Sequence, residues 1–235
     1  QLYKVSKNDF DKNNFLNPKS RSAKKVLNTY LNTPIEIKRT KKDNTPISGV
    51  IKETIEDNIQ LPALFMSYKL PSQTHPDSYA LDLLNQVLSG GNSSRINKTI
   101  VEKKELAMFA FSFNYALEDA GLGIMAAIAA NGVSLDTIQS EFDKQIKLVK
   151  EELISQEEFE KIRNQYENNF VSSNSTIAGI SENLANNHVY FGSAEKINTE
   201  LAEYMKITRE DIKRVANKYY TQDSRIILHY VPKAK

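Results

Sequence analysis

The chain has 235 residues, is 40% hydrophobic and 26% charged, and carries a net charge of +2. Those values exclude a disordered or collagenous chain, and the charge balance argues against a nucleic-acid binder. The absence of cysteine removes disulfides, thiol catalysis and thiolate zinc sites, and no apolar run approaches the ~18 residues of a membrane-spanning helix.

Residues 1–50 hold eleven Lys/Arg against four Asp/Glu, a net of +7, and the first glycine is Gly49. Residues 1–21 are polar and aperiodic and read as loop. Residues 22–32 place Val26, Leu27, Tyr30 and Leu31 on one helical stripe that Pro34 ends, and residues 38–48 read as exposed basic loop. The segment 1–48 is therefore expected to be a basic linker with the tail of a preceding domain, and 49–235 the domain proper. The chain opens on Gln1 and shows no signal peptide, which suggests a fragment or processed form. Both cytoplasm and periplasm stay open, with the periplasm preferred.

From Gly49 the pattern becomes regular. Val50–Ile55 alternates as a strand, and residues 61–70 form a second, more buried one. Pro76 and Asp77 start a helix with Leu81, Leu84 and Leu88 on one face, stopped by Gly90 and Gly91. Ser93 opens a further helix to Lys104. Residues 106–117 and 121–130 read as a strand pair, the second so rich in Ala, Ile and Met that both its faces are expected to be covered. Phe109, Phe111 and Phe113 share one face of the first and are expected in the core. Four helix starts follow, at Ser134, at Ser155 with Glu158 as a capping box, at Thr176 and at Ala194; a fifth begins at Thr208 and Asp211. A last strand, 225–231, is closed by Pro232. The order predicts an α+β fold: a single antiparallel or mixed sheet with helices packed on one face.

Little of this carries visible chemistry. His75, His188 and His229 are not within a helical turn of one another, so neither zinc-peptidase motif, H-E-x-x-H or H-x-x-E-H, is present. There is no G-x-S-x-G elbow and no phosphate-binding P-loop. Gly90-Gly91-Asn92-Ser93-Ser94 precedes a helix but lacks the lysine such a loop needs, and it reads as a turn. The acidic cluster Glu151, Glu152, Glu157, Glu158 and Glu160 has no calcium-loop pattern and reads as a solvated face. The residues alone thus supply no catalytic and no metal-binding set, and leave substrate-binding residues unassigned.

Four dispersed motifs then go further. HPDSYALDLLNQVLSGGNSSRINKTIVEKKELA, EDAGLGIMAAI, ISQEEFEKIRNQY and EYMKITREDIKRVANKYYTQDSRIILHYVPK occur in this order over residues 75–233. Together they resemble the non-catalytic domain of pitrilysin/insulinase-type zinc metallopeptidases. The resemblance implies a LuxS/metallohydrolase-like α+β domain that closes over an extended peptide substrate, opposite a homologous domain that carries the zinc. That partner would lie on the same polypeptide or a separate subunit; no cofactor is expected in this chain, and no nucleic acid or membrane span is implied. It also implies an arginine and a tyrosine seven residues apart that would hold the substrate carbonyl. The corresponding positions here are Val101 and Met108, which donate no hydrogen bond, while Arg95 matches the family's arginine after the glycine pair. This chain alone is therefore expected not to be an enzyme. The alternative implied by the missing pair is a catalytically degenerate scaffold or assembly subunit of the same fold.

Overall fold

The computed structural model describes residue 45 and residues 47–233, which fall within one compact unit, Asp43–Lys235. The helix predicted over 22–32, the loop over 1–21 and most of the loop over 38–48 lie outside the described residues; Ile47 and Ser48 have no regular structure.

Five strands form one mixed sheet: β1 (Gly49–Asp57), β2 (Ala63–Leu70), β3 (Ala107–Ala116), β4 (Gly121–Ala129) and β5 (Ser224–Pro232). Their order is β1-β5-β2-β4-β3. β5 inserts between the first two strands, parallel to β1 and antiparallel to β2. The β2–β4 and β3–β4 pairs are antiparallel. The helices are α1 (Asp77–Ser89), α2 (Asn97–Lys103, wound as a π-helix), α3 (Leu135–Glu151), α4 (Gln156–Ser173), α5 (Ile177–Phe191), α6 (Glu200–Lys206) and α7 (Arg209–Tyr219).

The core lies between one face of the sheet and the helices. Leu64, Met66, Tyr68 and Leu70 of β2 line up with Ala127, Met125, Gly123 and Gly121 of β4, and all are buried. Against them pack Leu81, Leu84 and Leu88 of α1, Ile138 and Phe142 of α3, and Ile212 and Val215 of α7. Helix starts obey local chemistry: Ser134, Ser155, Thr176 and Thr208 each accept a hydrogen bond from a backbone N–H in the first turn. Gly192, with φ of 79°, ends α5 in the left-handed region open to glycine.

Two ion pairs, each built on a buried group, Asp77 or Arg225, tie the layers. Asp77, at the start of α1, accepts from Arg214 Nη1 (2.7 Å), Lys218 Nζ (2.8 Å) and Tyr219 Oη (2.7 Å) on α7. Arg225 of β5 forks onto Asp143 of α3 and donates to Tyr68 Oη at 3.2 Å. Burial pushes the Tyr68 hydroxyl up to about 12, so it stays neutral beside that guanidinium.

Several expectations are corrected. The helices cover one face of β4 only: Met125, Ala127 and Ala129 are buried beneath them, whereas on the other face Ile128 is 41% exposed and Ala126 is shielded in its row between Phe65 and Phe111. Phe109, Phe111 and Phe113 are not core residues; they lie on that same open face, and the inward positions of β3 are the small Ala107, Ala110 and Ser112. Small side chains there let α1 approach the sheet closely. Ser155 caps α4, but Glu158 does not close the box, because its carboxylate is bound by Arg95 at 2.9 and 2.6 Å. The reciprocal box is instead at Thr208 and Asp211. The helix expected from Ala194 is split into a 3₁₀ turn, Ala194–Asn198, and α6, at the poor helix formers Asn198 and Thr199. The helix expected from Ser93 starts two residues later, at Arg95, and passes into the π-winding of α2.

Candidate functional site

The side of the sheet away from the helices is largely apolar, with Glu53 of β1 the one charged residue in three adjacent rows. Registers place Ile51, Ile226, Ser67, Ile124 and Phe113 in one row and Glu53, Leu228, Phe65, Ala126 and Phe111 in the next. A third row runs Ile55, Tyr230, Ala63, Ile128 and Phe109. Phe65 is 39% exposed and Phe109 57%. Three rows of this kind form a contiguous apolar surface rather than scattered exposed residues, which is the signature of an interaction face. Phe109, Phe111 and Phe113 form an aromatic stripe along β3, with ring centroids 5.1 and 5.8 Å apart.

Residues near the expected carbonyl-binding pair divide. Met108 is the extra residue of a β-bulge between Ala107 and Phe109 and is 64% exposed. Val101, on α2, is half-buried and packs against the core, so the two positions do not share one exposed surface. Between them Glu105 has φ of +51°, a left-handed conformation that costs a side-chain-bearing residue. Arg95 is engaged by Glu158 and so anchors α4 against the start of α2.

The other candidate residues stay apart. His75 lies in the loop before α1, where its Nδ1 accepts from the Asp77 N–H at 3.0 Å. His188 is on the exposed side of α5. His229 is on β5, facing the helices; burial, and then Lys52, depress its pKa, and its Nε2 lies 3.9 Å from Asp136 Oδ1 without a hydrogen-bond partner. Lys161 donates to Ser93, so a cation from α4 sits at the turn after the glycine pair. Of the acidic cluster, Glu158 binds Arg95, Glu160 accepts from Gln156 and Glu151 pairs with Lys147 at 3.6 Å. Among the described residues no group of three or more His, Asp or Glu side chains is placed to hold a metal ion, and no helix is long and apolar enough to cross a membrane.

A second polar cluster is buried beneath β3. Asp82 of α1 accepts from Asn114 Nδ2 (3.0 Å) and Tyr204 Oη (2.7 Å), and burial raises its pKa. Tyr204 stacks on Tyr166 at 3.8 Å. No nucleophile–base pair is formed there, so the cluster fastens α6 to α1 and β3. Sequence reasoning missed the open face because its residues, Phe65 and Ile226 among them, sit in runs apolar at both parities, which read as strands buried on both sides.

Residues 19–166 match the family described as the peptidase M16 inactive domain. The chain is 27% identical over 226 residues to the zinc protease PqqE of Helicobacter pylori, covering 94% of this chain and 48% of that protein. It therefore spans about half the length of that relative. A crystal structure of a protease from Helicobacter pylori is similar with a TM-score of 0.75 at 22% identity, covering 88% of this chain and 52% of that one. The peptidase M16 inactive domain from Pseudomonas fluorescens is similar with a TM-score of 0.69 at 18% identity, covering 84% and 46%. At these identities the two structures establish a shared fold.

Proposed function

The chain belongs to the peptidase M16 inactive domain family, and on that premise we propose that it forms the non-catalytic wall of a zinc metallopeptidase, enclosing an extended peptide opposite a homologous domain that holds the zinc. The observation that carries this reading is the open apolar sheet face. A surface five strands wide, with Phe65, Phe109 and Ile128 all more than a third exposed, needs a partner to remove it from water. In this reading the zinc is held by the partner domain. Its contribution there is a Lewis acid that polarises the scissile carbonyl. This chain supplies containment and shape.

A second reading is favoured by Val101 and Met108. Loss of two hydrogen-bond donors at a substrate carbonyl costs ~10²–10³ in rate per donor, so an assembly built on this chain could serve as a scaffold of the same fold without turnover.

The test is Phe65→Asp, in the middle of the face. It is made in the parent protein, or in the reconstituted pair if the zinc-bearing domain is a separate chain. Burying a carboxylate there, and losing the phenyl contact, should weaken domain association ~100-fold or more and reduce peptide turnover in parallel. Unchanged association of a folded variant would reject the face as the docking surface.

A further inference from the structure

The sheet has two outer edges of opposite character. β1 carries Lys52, Glu53, Glu56 and Asp57. Charges along an edge discourage pairing with another strand. β3 carries none: residues 106–117 (LAMFAFSFNYAL) contain no Asp, Glu, Lys or Arg. Among the described residues β3 pairs with β4 alone, so its second edge presents unpaired backbone groups. In the hairpin the Leu117 N–H bonds to Ala120 O. Antiparallel alternation therefore turns the backbone groups of Phe109, Phe111, Phe113 and Tyr115 to β4, and those of Ala110, Ser112 and Asn114 outward.

We propose that β3 pairs edge to edge with β3 of a second copy of this chain, antiparallel and centred on Ser112, joining two five-stranded sheets into one. The sequence is self-complementary in that register. Ser112 faces its own copy, and Ala110 and Asn114 exchange backbone hydrogen bonds across the axis. On the open face Phe111 falls opposite Phe113 and Phe109 opposite Tyr115, so every aromatic of the stripe meets an aromatic of the other copy. Both side chains in each of those pairs lie on the surface the helices leave open, and no like charges meet at the axis. A slip of two residues would set Phe109 opposite Leu117 in one direction or Tyr115 opposite Ala107 in the other, and so leave one aromatic of the stripe without an aromatic partner. The interface is one strand wide, below the size of a stable standard interface, so the dimer dissociates on the order of micromolar concentration. This surface is the edge of the sheet, distinct from the face assigned to the zinc-bearing domain, and its failure would leave that assignment standing.

The chain has no cysteine, which makes the test direct. Sedimentation of the 235-residue chain alone should show a concentration-dependent dimer. Phe111→Lys, checked for folding by circular dichroism, should shift dissociation at least 10-fold towards monomer, whereas Ile55→Lys on the β1 edge should not. Mixed in equal amounts, the single variants Phe111→Cys and Phe113→Cys should form a mixed covalent dimer on mild oxidation and neither should cross-link on its own, because position 111 lies opposite 113 only in this register. The proposal is overturned by a wild-type chain that stays monomeric to ~100-fold above the micromolar range. It is equally overturned by a dimer that Phe111→Lys leaves intact, or by a dimer in which the cysteine pair does not cross-link.

Discussion

Asp77→Asn isolates the main tie between α1 and α7. The Asp77 side chain is 8% exposed and accepts three hydrogen bonds, from Arg214, Lys218 and Tyr219. Burial alone would raise its pKa, but the bonds from Lys218, Tyr219 and Arg214 outweigh that and hold the carboxyl far below the usual range. Breaking a buried pair costs ~3–5 kcal/mol when both partners are desolvated. Here Arg214 and Lys218 are 49% and 52% exposed and return to water, so the cost falls to about 2–3 kcal/mol. For a domain of this size that is roughly 5–10 °C in Tm. The pH dependence has a definite sign. A depressed native pKa adds stability that is complete above the unfolded value of ~3.9 and is lost as pH falls through it towards the native value. Thermal melts of wild type and Asp77→Asn at pH 7, 5 and 3.5 should show a constant gap at the first two and a smaller one at the third. Equal melting at pH 7, or a gap that widens in acid, would refute the account of this network.

Other residues give sharper local outcomes. Glu105→Gly removes a side chain from a left-handed φ and should raise stability by a few tenths to ~1 kcal/mol, read by urea titration; a loss would show that Glu105 is unstrained. Gly123→Ala places a Cβ 2.8 Å from Tyr220 Oη and 3.2 Å from Leu70 Cδ1, both on buried residues, and should cost about 1–3 kcal/mol in the same assay, with no loss meaning that Tyr220 can move. Val101→Arg with Met108→Tyr should lower Tm, because Val101 packs on the core, yet raise kcat/KM of a zinc-loaded assembly at least ~10-fold if missing donors are what weakens it. An unchanged rate from that assembly favours the scaffold reading.

Much of the fold was legible because its signals are local. Ser134, Thr176 and Thr208 mark helix starts through bonds that span two or three residues; Gly192 marks an end through its left-handed φ, and Gly90 marks one because a Cβ there would collide with the Gln86 carbonyl. Where the signals were misleading, a distant residue had intervened. Glu158 has the spacing of a capping box with Ser155, but Arg95, 63 positions away, offers two charge-assisted bonds where the Ser155 N–H offers one neutral donor. The break at Thr199 was missed because Asn and Thr are only mildly poor in helices, while the Ser193 cap starts the first short piece and the Tyr204–Asp82 bond pins the second.

The site was less legible than the fold, and the reason lies in what kind of site it is. A catalytic constellation leaves a pattern of rare residues at fixed spacing, and none is present around His75, His188 or His229. A docking surface leaves only apolar residues, the same ones that build a core. Phe111 and Met66 are equally hydrophobic strand residues, yet Met66 is fully buried under helices and Phe111 lies on the open face. What separates them is which residues oppose them. On β3 the partners inside are Ala107, Ala110 and Ser112, too small to fill a core by themselves, and the bulk of α1 fills that space instead. Large aromatics alternating with small residues on a strand without charge thus point the aromatics away from the helices. Applied to β1, the same logic gives the opposite result: Lys52 reaches the exposed Asp136 of α3 and Glu53 stands alone on the open face, so that edge is kept in water. The functional asymmetry of the sheet is therefore carried by where charge is absent along β3.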